Sequence, residues 1–183
     1  MTSRLLVDKI EGKTTAGTLT LPAGHVRQVV HAKRGHGDGQ LSFATGNPST
    51  FSDATGMSLD ITPLNTSSKM LIKLAFRYGC TASSDNIVRI VRTISGGSAT
   101  NLYPVETNGG LGNIYYASGN SNTYMSHIAF NDCSFDYMDE PSTTSQVNYK
   151  VQFANGVGNL RIGSRADGNN DRDNSITVME IIG

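Results

Sequence analysis

Residues 57–78 read MSLDITPLNTSSKMLIKLAFRY, and the spacing of their apolar side chains decides the fold. Apolar residues occupy every second position from Met70 to Tyr78, and the same period runs through Met57, Leu59 and Ile61. Successive side chains of a strand point to opposite faces, so each half is predicted to be a strand with one apolar face. The turn-forming residues TPLNTSS connect the two strands. We therefore expect an antiparallel β domain built around this pair.

The same period recurs along the rest of the chain. Strands are predicted over residues 26–34, 86–93, 125–130, 146–153, 159–163 and 175–182, with shorter pieces over 41–53. The glycine-rich segment 101–122 and the segment 132–145 are interpreted as long connections. No segment has the period of an amphipathic helix. Eight or nine short strands separated by turns predict an all-β chain with a single antiparallel, jelly-roll-like β-sandwich over residues 25–183.

Composition excludes several classes of function. The 183 residues carry 15 Lys and Arg against 15 Asp and Glu, so the net charge is zero. A neutral chain has no general electrostatic attraction to nucleic acid or to an anionic membrane. No apolar run approaches the roughly 20 residues that span a bilayer. The N-terminus lacks the pattern of a signal peptide. We therefore expect no nucleic-acid partner and no membrane insertion.

Motifs for catalysis or for a cofactor are absent from the sequence. The loop 167–173 alternates Asp and Asn oxygen donors, but it lacks the glycine and the closing acid of a calcium loop, which favours a solvated hairpin. Asp136, Asp139 and Glu140 are neighbours on one segment rather than a pair held across a cleft. They are interpreted as solvated loop residues.

The histidines and cysteines do not have the spacing of a zinc site. Free thiols are favoured for Cys80 and Cys133, and a single disulfide between them stays open. The four histidines are interpreted as ordinary surface or core residues. They are His25, His31, His36 and His127.

Residues 1–24 differ from the rest of the chain. Leu5, Leu6, Val7 and Ile10 are apolar, but the segment is too short and too interrupted by glycine to hold a core of its own. Its apolar side chains must contact either the same chain or a neighbour. A frayed terminus and an anchoring arm both fit this pattern.

The closing strand over residues 175–182 is apolar on both faces, which is typical of a strand covered on both sides. Cover from another subunit would make the protein an obligate homo-oligomer, most simply a trimer. Glu180 and Ile182 are then candidate oligomer contacts, and the Glu180 carboxylate would need a partner. The candidate partners are Arg89, Arg92 and Arg161.

Tyrosines in or beside the predicted long loops are candidates for receptor contact. Tyrosine offers a large contact area at a low cost in rotamer entropy, and its hydroxyl adapts to polar partners. The same residues could instead pack the loops against the sandwich. The candidates are Tyr103, Tyr115, Tyr116, Tyr124 and Tyr137.

Five stretches together resemble structural proteins of tailed bacteriophages, especially aquatic ones. They are SRLLVDKIEG, GTLTLPAGHVRQVV, ITPLNTSSKMLIKL, DEPSTTSQVNYKVQF and SITVMEI. The resemblance covers most of the chain, and residues 96–122 match least. It implies an N-terminal segment, here 1–24, that plugs into the virion, and a β-sandwich body that projects as a homotrimer. The absence of a shaft between the two favours a short fibre, capsid spike or head-decoration protein over a long tail fibre.

The sequence is therefore interpreted as a non-enzymatic virion protein that is assembled in the host cytoplasm and needs no cofactor or metal. Its expected partners are its own copies and other capsid or tail proteins. The expected virion-anchoring residues are Leu5, Leu6, Val7 and Ile10. The alternative is a receptor-binding tail-fibre tip that recognises a host surface glycan through loops 101–124 and 132–145. A tail-associated depolymerase and a non-viral binding module are more distant alternatives.

Overall fold

The computed structural model describes residues 23–35, 37–44, 46–81, 86–103, 113–115, 131–164 and 173–183. Within these ranges every regular element is a β-strand. The strands are β1 (Val26–Arg34), β2 (Leu41–Phe43), β3 (Ser52–Ile61), β4 (Lys69–Cys80), β5 (Asn86–Ile94), β6 (Ala99–Tyr103), β7 (Asn113–Tyr115), β8 (Asn131–Asp139), β9 (Val147–Asn155), β10 (Leu160–Ile162) and β11 (Asn174–Ile181).

Two antiparallel sheets pack face to face around one core. The first sheet has the strand order β1-β11-β4-β10-β2, and β8 pairs along the other edge of β4. The second sheet has the order β3-β9-β5-β6, and β7 also pairs with β5. The predicted all-β sandwich is confirmed.

Alternation along β3 and β4 produces the core. The alternate apolar residues of both strands point between the sheets and are buried, whereas Lys73 and Ala75 on the other face of β4 are exposed. The Phe153 ring contacts Phe43 and Phe76, with centroids 5.2 Å away in each case. Because β3 lies in the second sheet and β4 in the first, residues 62–68 cross from one sheet to the other. The two halves of the deciding stretch therefore contribute to one core from opposite sides.

The interpretation of residues 132–145 as one long connection is wrong, because β8 occupies their first part. Phe135 and Tyr137 pack against the core, while Asp132 and Asp136 lie on the outer face. Aspartate is depleted in strands. Here each outer aspartate lies directly opposite a cation on β4, which compensates for the unfavourable residue type.

Two further boundaries differ from the prediction. Strand β3 begins at Ser52, and its pairing with β9 shifts register between Asp53 and Ser58, where Gly56 adopts a φ of 83°. Such a positive φ favours glycine at an irregularity of a strand. The second part of β6, from residue 101, and the whole of β7 lie in the segment 101–122, which is predicted from the sequence to be irregular. The predicted strand over 125–130 lies outside the described residues.

Candidate functional site

Glu180 is a fully buried carboxylate, with no exposed surface, at the end of β11. Its Oε1 accepts hydrogen bonds from the Leu64 amide at 2.7 Å and from the Ser68 hydroxyl at 2.5 Å. Its Oε2 accepts a hydrogen bond from Gln28 Nε2 at 2.7 Å, and the same nitrogen lies 2.7 Å from the Thr62 carbonyl oxygen. The carboxylate therefore ties the connection 62–68 to β11 and β1.

The prediction of an arginine partner for Glu180 is wrong. Arg92 pairs with Asp139 instead, and Arg89 Nε donates to Gln152 at 2.7 Å. Arg161 Nε is buried without a hydrogen-bond acceptor. Three neutral donors replace the cation. Two belong to the connection 62–68, which folds back over the end of β11, and the third is Gln28 on β1. Glu180 is therefore satisfied within its own chain, and it has no exposed surface with which to contact another subunit. An oligomer contact at Ile182 stays a prediction.

A second buried polar group joins the two sheets. Asp139, which is 4% exposed at the end of β8, accepts a hydrogen bond from the Tyr149 hydroxyl at 2.7 Å and pairs with Arg92 Nη1 at 2.7 Å. Burial raises the pKa of Tyr149 far above its usual range, and the Asp139 carboxylate adds to this effect. The expectation that Asp139 is a solvated loop residue is wrong. Both carboxylate oxygens are used to hold β8 against β5 and β9.

The outer face of the first sheet carries a ladder of ion pairs between β4 and β8. Lys73 pairs with Asp136 at 2.6 Å, Arg77 pairs with Asp132, and Lys69 pairs with Glu140 at 3.0 Å. All six side chains are substantially exposed, so each pair contributes about 0–1 kcal/mol to stability. Their position also corrects the loop interpretation of Asp136, which lies in the middle of a strand.

An apolar row crosses the same face next to this ladder. Val29, Met179, Leu71 and Met138 lie directly opposite one another on the successive strands β1, β11, β4 and β8. Val29 is 54% and Met138 44% exposed, and the two central residues are half-buried. A contiguous apolar strip across four adjacent strands is typical of an interaction surface rather than of isolated exposed residues.

The outer face of the second sheet carries a polar cluster around Arg89 and Asp53. The Arg89 guanidinium lies 3.8 Å from the ring centroid of Phe51, and Asp53 accepts hydrogen bonds from Gln152 and Lys150. The bond from Gln152 contributes most to holding the pKa of Asp53 below its ordinary value, while partial burial acts in the opposite direction. Burial lowers the pKa of Arg89.

A shallow depression of about 450 Å³ adjoins Asp53 between β2 and β3. Asp53 is the only titratable side chain among its described lining residues. Hydrolysis of a glycosidic bond needs two carboxyl groups that flank the bond. This depression therefore has no acid–base pair in the described part of the chain. Its remaining lining residues are Leu41, Ser42, Phe43, Ala44, Thr50, Ser52 and Thr55.

The five candidate tyrosines are not gathered into one described loop. Tyr137 lies in β8, opposite Ile72, and packs against the core. The backbone of Tyr103 lies in β6 and that of Tyr115 in β7, both beside β5 of the second sheet. Tyr103 and Tyr115 are the last residues of these strands and so lie beside the segments predicted as loops, whereas Tyr137 lies within a strand. The role of these tyrosines in receptor contact stays a prediction. Tyr116 and Tyr124 lie outside the described residues.

The remaining predicted sites lie only partly within the described residues. Among the described residues no three His, Cys, Asp or Glu side chains could hold a metal ion together. Asp173, the one described residue of the 167–173 loop, pairs with Lys33 at 2.7 Å. The anchoring candidates Leu5, Leu6, Val7 and Ile10 lie outside the described residues. A helix long and apolar enough to cross a membrane is not present in the described ranges.

Both cysteines are free thiols, the state that the sequence favours. Cys133 lies opposite Phe76, and Cys80 is four residues further along β4. This separation corresponds to about 13 Å along the strand. A disulfide needs Cα atoms within about 7 Å, so the two residues cannot be bridged in this fold.

No protein-family model matches this chain. No curated protein sequence matches it either. Among solved structures, the chain is similar to infectious bursal disease virus, Gt strain, with a TM-score of 0.42 and 10% identity over 97% of this chain and 43% of that one. The crystal structure of the VP2 subviral particle of the same virus gives 0.42 and 10% over 97% and 42%. The chain thus spans about two fifths of the length of those proteins. The likeness is too distant to indicate a function.

Proposed function

We propose that this chain is a non-enzymatic virion structural protein, a homotrimeric short fibre, spike or decoration protein of a tailed bacteriophage. The proposal rests on the structural role of the two buried carboxylates among the described residues. Glu180 and Asp139 are both enclosed by hydrogen bonds that fix a connection or join the sheets. An enzyme would need such a group within reach of a substrate. A sandwich that uses its buried charges for rigidity suits a scaffold.

The N-terminal arm, residues 1–24, fixes the protein to the particle in this proposal. The motivation is the cluster Leu5, Leu6, Val7 and Ile10, which is too short to form a core alone. Apolar side chains gain about 25 cal/mol per Å² on leaving water, and an extended arm can add main-chain hydrogen bonds at the edge of a neighbouring sheet. Many copies on one particle then multiply a modest individual affinity.

Mass spectrometry of gradient-purified particles tests both the virion role and the anchoring by the arm. Host cells would produce the wild-type chain, the arm variant Leu6→Asp with Val7→Asp, or the matched control Thr14→Asp with Thr15→Asp, which adds the same charge to the same arm. We expect the wild type and the control on particles, and the arm variant in the lysate only. Absence of the wild type from particles would overturn the virion role. An arm variant bound at wild-type level would overturn the anchoring role alone.

A further inference from the structure

The outer face of the first sheet has an arrangement that fits a copy of itself. The face consists of four strands in the order β1, β11, β4 and β8, crossed by the apolar row that runs from Val29 to Met138. We propose that two copies of this chain meet through this face, related by a two-fold axis that runs along the strands between β11 and β4. The proposal rests on the register of the strands and not on the virion role. This two-fold contact is separate from the contacts of the proposed homotrimer, so a protein that forms both would join its trimers in pairs.

The strand register determines which residues would meet. A two-fold axis parallel to the strands leaves each residue at the same position along the strand direction and reverses the order of the strands across the sheet. Strand β11 then faces β4 of the second copy, and β1 faces β8 of the second copy. Met179 lies over Leu71, and Val29 lies over Met138, so the apolar rows cover each other completely. Sheets stacked in this way keep their strands within about 30° of each other, which preserves the match near the axis.

The charges on the two edge strands are complementary under the same operation. The outer positions of β1 include Arg27, His31 and Lys33, whereas those at β8 include Asp136 and Glu140. In the register of the four strands, His31 lies opposite Thr177, Thr177 opposite Lys73, and Lys73 opposite Asp136. His31 of one copy therefore lies opposite Asp136 of the other. Asp136 would then keep its ion pair with Lys73 and gain His31 of the other copy as a second donor.

The area is sufficient for a specific contact. Four strands about 4.8 Å apart and eight residues long cover about 500 Å² of sheet. A pair of copies would therefore bury about 1,000 Å², which is at the lower limit for a specific interface. An apolar centre with a polar surround is also the usual anatomy of such interfaces.

Charge substitutions at the ends of the apolar row test this geometry. Within one chain Val29 and Met138 are three strands apart, about 14 Å, so they cannot form a pair with each other. In the proposed contact they lie opposite each other twice. We expect Val29→Glu and Met138→Lys each to weaken association by at least about tenfold, because each places a charge in the apolar row opposite side chains of the same sign on the other copy. The double variant V29E/M138K is expected to restore association, since the two new charges face each other across the axis.

Sedimentation velocity of the full-length protein measures the result. Each single variant should halve the mass of the largest species, and the double variant should recover the wild-type mass. Val157→Lys, at a position 62% exposed and away from this face, is the matched control and should leave the mass unchanged. Far-UV circular dichroism and the unfolding midpoint verify that every variant is folded. Single variants that assemble like the wild type, or a double variant no better than the singles, would overturn the proposal. A wild-type chain that stays monomeric would also overturn it.

Discussion

Removal of the Glu180 carboxylate is the perturbation whose effect the structure defines best. In Glu180→Ala, the Leu64 amide and the Ser68 hydroxyl lose their acceptor inside the protein, while the half-buried Gln28 can turn toward water. The buried Ser68 hydroxyl left without a partner costs about 1–3 kcal/mol, the Leu64 amide costs less because that residue is exposed, and the vacated space adds a cavity term. The substitution also removes a desolvated charge, which offsets part of this loss. We expect the free energy of unfolding to fall by about 3 kcal/mol, a large share of the ~5–15 kcal/mol typical of a domain.

Urea denaturation followed by circular dichroism measures this change. The midpoint should fall while the slope with denaturant stays the same, because the fold is retained and only its stability changes. Glu140→Ala is the matched control, since it removes a carboxylate that is 64% exposed and pairs with Lys69. The control should change stability by no more than about 0.5 kcal/mol. Ser68→Ala removes one of the donors and should cost about 1–2 kcal/mol.

The result that would refute this reasoning is equality between the two acid variants. If Glu180→Ala loses less than about 1 kcal/mol, the carboxylate does not hold the connection 62–68 in place. The hydrogen bonds of Leu64 and Ser68 would then have to be replaced by water at no cost. A charged residue on the apolar face of β11 would in that case have no structural role.

Three further measurements concern other buried or paired groups. Tyr149→Phe deletes the hydroxyl that bonds to Asp139 between the sheets, and should cost about 1–2 kcal/mol in urea denaturation; a change near zero would contradict the bond's role. The Cys80 thiol should resist a thiol reagent at neutral pH in the native protein and react after unfolding, because burial raises its pKa to about 12; fast native reaction would contradict this. The pKa of Asp53 is lower in the folded protein than its ordinary value of 3.8, so its stabilising effect is present above about pH 4 and is lost as the pH falls through the folded pKa. The stability difference between wild type and Asp53→Asn should therefore shrink on acidification, and a difference that grows would refute the assignment.

The period of the apolar residues is enough to predict the strands that form the centre of each sheet. β4 and β9 alternate so regularly that only one register buries their apolar face. β8 has the same alternation, in Cys133, Phe135 and Tyr137, but its aspartates indicate a loop. Their cations lie on β4, more than 50 residues away in the chain. The pairing that makes aspartate acceptable in β8 therefore forms only in the folded sheet and cannot be predicted from the local sequence.

The polar groups are harder to predict for the same reason. A buried glutamate suggests an arginine partner when only residue types are known, but three neutral donors surround Glu180 because a connection folds over it. The inter-sheet contact of Asp139 with Arg92 and Tyr149 depends on how the two sheets stack. The apolar row on the outer face likewise emerges only when the register of four strands is known. Sequence periodicity predicts single strands well, whereas surfaces made by several strands need the structure.

Electron microscopy of purified virus particles, labelled with a gold-conjugated antibody against residues 25–183, tests the virion role most directly. A structural protein held by its arm predicts label at fixed, repeated positions on every particle, with the body outermost. Particles that carry no label, while the soluble fraction of the same lysate reacts with the antibody, would contradict it.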